Sequence, residues 1–456
     1  MESILQRMEA LELLIFVVVF AGLVFIHEFG HFVAARLMKV EVEEFGFGLP
    51  PRLWRFWRTR GSFKAGGHSV VIPANFDLPM DARELQGRPV DLILQKKGKN
   101  LTLQSITWAA LEDGQFRPTY PTLTPDGEGN LRWSGIVREI RLGTELTLNW
   151  LPLGGFVRPK GENDPSIAGG LAAASPWVRL GVLFAGPLMN LLAGVLVNSM
   201  LFAQVGIPDV NRVMLYEVLP DSPAAQAGLQ ANDFILAVDG QPVDNEAHFR
   251  ALIRAHLDQP MHITVQRGAE RLELTATPLS SRTEEQGLLG ILPGPPLVPA
   301  DSFIQTIPYG VTYTYNQIVQ ILSFPAKMLR GSLTPEEGRF VGLKGIYDLL
   351  GQAVNRDVES REQAAAAPPG TAPMPTNFTL QIIASLTLTL GIFNLLPFPA
   401  LDGGRILFVL PELVLRRRVP PEFENWVHAA GFAFLILFML YINLMDFLNP
   451  YQITLP

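Results

Sequence analysis

Apolar residues along this chain gather into four long runs. They lie at roughly 11–35 (LELLIFVVVFAGLVFIHEFGHFVAA), 178–205 (VRLGVLFAGPLMNLLAGVLVNSMLFAQV), 378–401 (FTLQIIASLTLTLGIFNLLPFPAL) and 427–448 (VHAAGFAFLILFMLYINLMDFL). Each approaches the roughly 20 residues that a helix needs to cross a bilayer. Together they predict an α-helical polytopic membrane protein with about four transmembrane helices, and they argue against a soluble core. The first run is too long, and too acidic at its start (Glu2, Glu9, Glu12), to be a cleavable signal peptide.

Between the runs the pattern changes. Residues 61–148 alternate apolar and polar positions in short stretches (VDLILQKK, NLTLQSITW, SGIVREIRL) broken by Gly, Asp and Pro, which predicts a β-rich insert. Its segment GRPVDLILQKKGKNLTLQSI (87–106) echoes DQPMHITVQRGAERLELTAT (258–277), and both are read as hairpins, not as copies of one module. Residues 208–285 carry their own turns and alternation. Ser222–Pro223 marks a helix start, and HFRALIRAHL is an amphipathic helix. The stretch 302–354 has helical periodicity suited to the membrane face, and QAAAAPPGTAPMPT (363–376) is a flexible linker. The expected organisation is therefore 1–60, first span and basic segment; 61–148, β-rich insert; 149–207, membrane-associated β element and second span; 208–285, an α+β domain; 286–376, amphipathic region and linker; and 377–456, third and fourth spans.

Composition and charge sharpen this picture. The chain is 48% hydrophobic and only 17% charged, and its mild net charge of −7 gives no footing for nucleic acid. It has no cysteine, so any metal site must use histidine and carboxylate. Basic residues cluster after run one (Arg36, Lys39, Arg52, Arg55, Arg58, Arg60), before run two (Arg158, Lys160, Arg179) and between runs three and four (Arg405, Arg416, Arg417, Arg418). By the positive-inside rule those loops are cytoplasmic, and both termini and 208–376 face outside.

The chemistry sits in FIHEFGHFVAAR (25–36). His27 and His31 are four residues apart on one helical face, with Glu28 one position round. In an HExxH helix two imidazoles hold Zn²⁺, the ion acidifies a water, and the carboxylate takes its proton. Five residues alone are a weak signal, but polar groups inside an apolar span are costly and mark function. A third ligand must come from elsewhere. Asp402 in NLLPFPALDGGR (394–405) is the best placed, since Pro397 and Pro399 must break run three and Gly403 and Gly404 let the backbone bend beside it. His68, His248, His256, His262 and His428 show no ligand spacing.

HEFGH, PLGGFVRP (152–159), FAGPLMN (184–190) and NLLPFPALDGG (394–404), in this order, resemble the site-2 protease family of intramembrane zinc metalloproteases, in its bacterial RseP-like branch. The resemblance spans most of the chain except about 61–135. It implies His27, His31 and Asp402 as zinc ligands, Glu28 as catalytic base, and Asn394 as a substrate-holding residue. It also implies a membrane-associated β element around Gly154, Gly155 and Phe156 that pairs with substrate backbone. The implied substrates are single-span membrane proteins, such as anti-sigma factors trimmed outside the bilayer or signal-peptide remnants, in the bacterial inner membrane. SPAAQAGLQANDFILAVDG resembles a bacterial PDZ domain, with Asn232 where glycine is usual. Such a unit acts as a peptide-binding module or as a size filter. Only one such copy is visible where the branch often carries two, and the insert has no counterpart. A non-enzymatic scaffold is disfavoured by the intact His27, Glu28, His31 and Asp402. A transporter is disfavoured because no pair of similar broken halves is visible.

Overall fold

Among the described residues, four helices are long and apolar enough to cross a membrane: Ala10–Leu37, Pro176–Val205, Phe378–Leu395 and Pro421–Leu448. The computed structural model describes residues 2–78, 85, 87–98, 100–112, 115–281, 287–332, 339–366 and 377–449. Its helices are α1 (Glu2–Leu37), α2 (Pro176–Val205), α3 (Glu246–Ala255), α4 (Phe303–Leu329), α5 (Leu343–Ala366), α6 (Phe378–Leu395), α7 (Asp402–Leu415) and α8 (Pro421–Leu448). Two compact units share them, Met1–Val195 with Thr314–Arg356 and Gln381–Pro456, and Leu196–Tyr313 with Asp357–Leu380.

In the first unit, α1 and α2 approach closely at small residues. A Cβ on Gly30 would lie 2.4 Å from the Ala185 carbonyl oxygen, so only glycine permits this contact. Helix α6 packs on α2 through Gly391, whose Cβ would stand 3.1 Å from both Asn190 Cβ and the Pro187 oxygen. Two acids within the apolar helices have partners on α5 or beside its start. Buried Asp446 of α8 accepts the Gly342 and Gly345 amides at 2.8 and 3.2 Å beside the start of α5, and Glu12 of α1 accepts from Asn355 at 3.0 Å.

Strands β1 (Val42–Arg58) and β7 (Glu145–Pro159) form a bent antiparallel pair. Each folds back on itself, so the Val42–Leu49 limb of β1 lies beside Glu145–Leu148 and also beside Gly155–Pro159. Arg52–Arg58 then returns along the far side of Glu145–Asn149. Trp54, Trp57, Trp150 and Leu151 are exposed on this sheet, a surface suited to lipid.

Between these strands lie β2 (Gly61–Ala65), β3 (His68–Ile72), β4 (Pro89–Lys97), β5 (Asn100–Trp108) and β6 (Asn130–Arg141). They pair in the order β2-β3-β5-β4-β6, and β6 returns to β2, closing a small barrel. The alternation seen in the sequence places Val90, Leu92 and Leu94 of β4 inward, against Leu103, Val70, Trp133 and Val137. Residues 145–148, assigned from sequence to the insert, begin β7.

In the second unit, β8 (Val213–Val218), β9 (Phe234–Val238), β10 (Met261–Arg267), β11 (Glu270–Ala276) and β12 (Ile291–Gly294) run in the order β11-β10-β9-β8-β12. Both segments of the sequence echo are hairpins, β4–β5 and β10–β11. Ser222 caps the short Pro223–Gln226 turn by accepting from the Ala225 amide at 3.1 Å. Asn232 takes the left-handed conformation (φ 71°) that its turn requires. The buried Asp233 carboxylate pairs with Arg267 at 2.7 and 2.8 Å. Helix α3 buries Phe249 and Ile253 against the sheet. The stretch 302–354 contains α4 and much of α5, which itself runs on to Ala366. The remainder of the expected linker, 367–376, lies outside the described residues.

An ion cluster holds β1 to β7. Arg52 lies 2.9 Å and Arg55 3.3 Å from Glu145, which also pairs with Arg58, while Arg52 and Arg158 reach the buried Glu44 at 2.9 and 3.1 Å. Burial works against the Glu145 charge, but Arg58, Arg52 and Arg55 outweigh it and hold its pKa below the ordinary 4.5. Folding therefore favours the ionised form. The contribution is complete above the unfolded value and is lost as pH falls through the lower folded-state value. Glu145→Gln should weaken hydrogen-exchange protection of β1 and β7 at about pH 7. It should also flatten the loss of that protection as pH falls through and below the ordinary value of 4.5.

Candidate active site

His27 and His31 project from successive turns of α1, both buried, with their Nε2 atoms 3.2 Å apart. Asp402, the first residue of α7, brings Oδ2 to 3.0 Å from His27 Nε2 and 3.2 Å from His31 Nε2. Three donor atoms, two from neighbouring turns and one 375 residues beyond His27, thus form a nearly equilateral triangle. Ligand atoms of tetrahedral zinc, with bonds of 2.0–2.1 Å, lie about 3.3 Å apart. The spacing fits, and so does the chemistry, since two imidazoles and one carboxylate leave a fourth position open as catalytic zinc requires. Among the described residues no other group of three or more His, Cys, Asp or Glu residues has this spacing.

Local backbone explains why the triangle forms. A Cβ on Gly186 of α2 would lie 2.3 Å from His31 Nε2, so this glycine leaves room for the ring. His31 Nδ1–H donates to the Val182 carbonyl at 2.8 Å, which leaves the Nε2 lone pair facing Asp402. Helix α6 ends at Leu395, ahead of the two prolines. The chain then turns through Ala400 at φ 74° before α7 begins. Gly403 and Gly404 sit against the Leu396 and Phe398 carbonyl oxygens, where a Cβ would lie 2.2 Å away. Two residues not singled out from sequence complete the surroundings. His428 of α8 accepts the Ala400 amide at 2.8 Å and so braces the loop that carries Asp402. Asn190 of α2, fully buried, stands 3.2 Å from His27 Nδ1. Both are polar residues within an apolar run, and that is the signal that marks them.

Glu28 faces β7, and its Oε2 accepts the Val157 amide at 3.0 Å. That contact places the Gly154–Pro159 limb beside the histidine pair. Gly154 (φ 107°) lies against Val24, where a Cβ would meet its side chain at 2.5 Å, and a Cβ on Gly155 would lie 2.8 Å from the Gly46 oxygen. Phe156 packs over Gly46, with the Arg158 guanidinium 5.6 Å from its ring centre. Among the described residues this limb pairs with β1 alone, so its α1-facing edge is not taken by another strand. Asn394, near the end of α6, donates to the Leu390 carbonyl of its own helix at 3.0 Å.

The sequence pattern of peptidase family M50 matches residues 15–66 and 134–438. The chain belongs to peptidase family M50. The zinc metalloprotease RasP of Oceanobacillus iheyensis is 27% identical over 448 residues, covering 94% of this chain and 97% of the relative. The regulator of sigma-W protease RasP of Bacillus subtilis is 26% identical, with 94% and 97% covered. The probable protease eep of Enterococcus faecalis is 25% identical with the same coverage. This M50 peptidase is accordingly a zinc metalloprotease of the site-2 type, related to the RseP-like branch, and a membrane protein. The family pattern resumes at residue 134 and skips 67–133, most of the barrel.

Gly186→Val should displace the His31 ring and weaken zinc affinity, read by chelator competition, by at least about tenfold, on the scale of lost orienting contacts. Helix content by circular dichroism should be unchanged, and an unchanged zinc affinity would contradict the crowding described here.

Proposed function

We propose that this M50 peptidase hydrolyses peptide bonds in or near transmembrane segments of its substrates, with His27, His31 and Asp402 holding zinc and Glu28 moving the proton. The observation that carries this reading is the convergence of the three donor atoms at 3.0–3.2 Å beside Glu28, on a helix of membrane-spanning length. Bound there, zinc supplies Lewis acidity that acidifies a water and polarises a carbonyl.

The chain's own groups do the rest. Glu28 takes the proton of the attacking water on Oε1 and delivers it to the departing amide nitrogen, while the Val157 N–H holds Oε2 in place. The Gly154–Pro159 limb offers backbone groups to an extended substrate strand. Pairing there replaces hydrogen bonds that a substrate helix loses when it unwinds. Two glycines keep that edge low beside α1, which favours a role for Gly154, Gly155 and Phe156 in substrate binding. Asn394 lies eight residues before Asp402 on the broken segment, and its amide would bind substrate backbone at the cost of its bond to Leu390.

The sheet of the second unit, which β12 carries past the expected limit of 285 to Gly294, has α3 against it and a groove of about 130 Å³ between Arg250, Ile253 and the Gly287–Leu289 stretch, and this suits a PDZ-like filter or binding module. Basic residues around Arg36, Arg158 and Arg417 favour a multi-pass inner-membrane protein with the catalytic end cytoplasmic and the PDZ-like unit and both termini outside. The B. subtilis relative is named a regulator of sigma-W protease, which favours single-span substrates of the anti-sigma-factor kind, with signal-peptide remnants as the second class.

The test is cleavage of a single-span substrate in detergent or vesicles, with zinc measured alongside. Glu28→Gln should keep zinc and lose about 10²–10⁴-fold in kcat, the usual weight of a general base. Asp402→Asn should lose zinc as well as activity. Equal cleavage by Glu28→Gln would remove Glu28 from the reaction.

A further inference from the structure

Three positions of α2 spaced four apart face the two histidines of α1. The Val182 carbonyl accepts from His31 Nδ1, Gly186 underlies the His31 ring, and Asn190 reaches His27 Nδ1. The two histidines are therefore served in the same way, each with its Nε2 toward Asp402 and its Nδ1 toward α2. For His31 the outer contact fixes the tautomer, because a carbonyl can only accept.

For His27 the placed amide has its Nδ2 end toward Nδ1, at 3.2 Å, and Asn190 Oδ1 is buried with no hydrogen-bond partner among the described residues. An unpaired buried carbonyl oxygen keeps the full cost of its lost hydration. The two ends of a carboxamide have nearly the same shape, so a half turn exchanges them without disturbing the packing. After that turn Oδ1 accepts a hydrogen bond from His27 Nδ1–H, the orphaned oxygen is satisfied, and the Nε2 lone pair is free for a metal. The opposite orientation puts the His27 proton on Nε2, where a cation must bind.

We propose that Asn190 is a positioning residue that accepts a hydrogen bond from His27 Nδ1–H through its side-chain oxygen and so holds His27 in the zinc-binding tautomer. This rests on His27 being a ligand, as argued above. Gly391 gives the amide its place, since any Cβ there would stand 3.1 Å from Asn190 Cβ. No chemistry at the substrate is assigned to Asn190.

The readout is zinc affinity of the purified full chain by chelator competition, together with the visible absorption of the cobalt-substituted protein. Asn190→Leu, close in volume and unable to accept, should weaken zinc about 10–100-fold and alter the cobalt bands. Asn190→Asp, which keeps an acceptor and removes the donor, should bind zinc at least as tightly as the parent. Asn190→Ala repeats the first arm should the leucine variant fail to fold. Unchanged affinity in the leucine or alanine variant overturns the proposal, as does equal weakening in the aspartate variant, which would mean that the amide donates or merely packs. His27→Ala separates the two layers. If it loses zinc while Asn190→Leu does not, only the positioning role fails. If it keeps zinc, the ligand assignment fails and the positioning role with it.

Discussion

Polar side chains inside membrane-length helices must satisfy one another, and this constraint organises the first unit. His27 and His31 of α1 and Asp402 at the start of α7 each bring a donor atom within 3.2 Å of the others, and their lone pairs balance only across a shared cation. None of the three could stay at this depth alone without a large desolvation cost. The same rule governs Asp446 and Glu12, which are matched to amides and to Asn355 of the α5 region. Metal binding of the kind proposed and burial in an apolar helix thus make the same demand on these residues.

Meeting that demand needs backbones closer than side chains normally allow. Gly30, Gly186, Gly391, Gly403 and Gly404 all sit where a Cβ would meet a neighbour at 3.1 Å or less. Apolar contacts in a bilayer give helices little reason to choose one partner over another, so close approach at small residues sets which faces meet. The glycines fix the distances, and the polar triangle reports whether they are right.

Much of the site could be read without coordinates, because spacing on one helix is a local property. His27, Glu28 and His31 follow from the four-residue period, and Asp402 from prolines that must end a span. What could not be read was the set of supports that depend on tertiary approach. Asn190 meets a histidine 163 residues away, His428 meets the Ala400 amide 28 residues away, and Val157 meets Glu28 across 129 residues. Alternation predicted β-strands between 61 and 148 but could not show that β6 returns to β2, since closure is a matter of pairing and not of pattern. Nor could it mark where the barrel stops and β7 begins, because both read as strand.

The barrel enters and leaves the sheet at one place. The Thr59 amide donates to the Thr144 carbonyl at 3.0 Å, and the Thr144 amide donates to Thr59 Oγ1 at 2.8 Å, so residues 85 apart in sequence are neighbours in space. Joining them directly would need no more than a tight turn, and β1 and β7 would keep their pairing. The barrel is thus a detachable cassette in topological terms. An ancestor could gain or lose it, or exchange it for another fold, without re-registering the strands that reach Glu28. Variation at this point of the chain is cheap because the scaffold on either side is already closed across it.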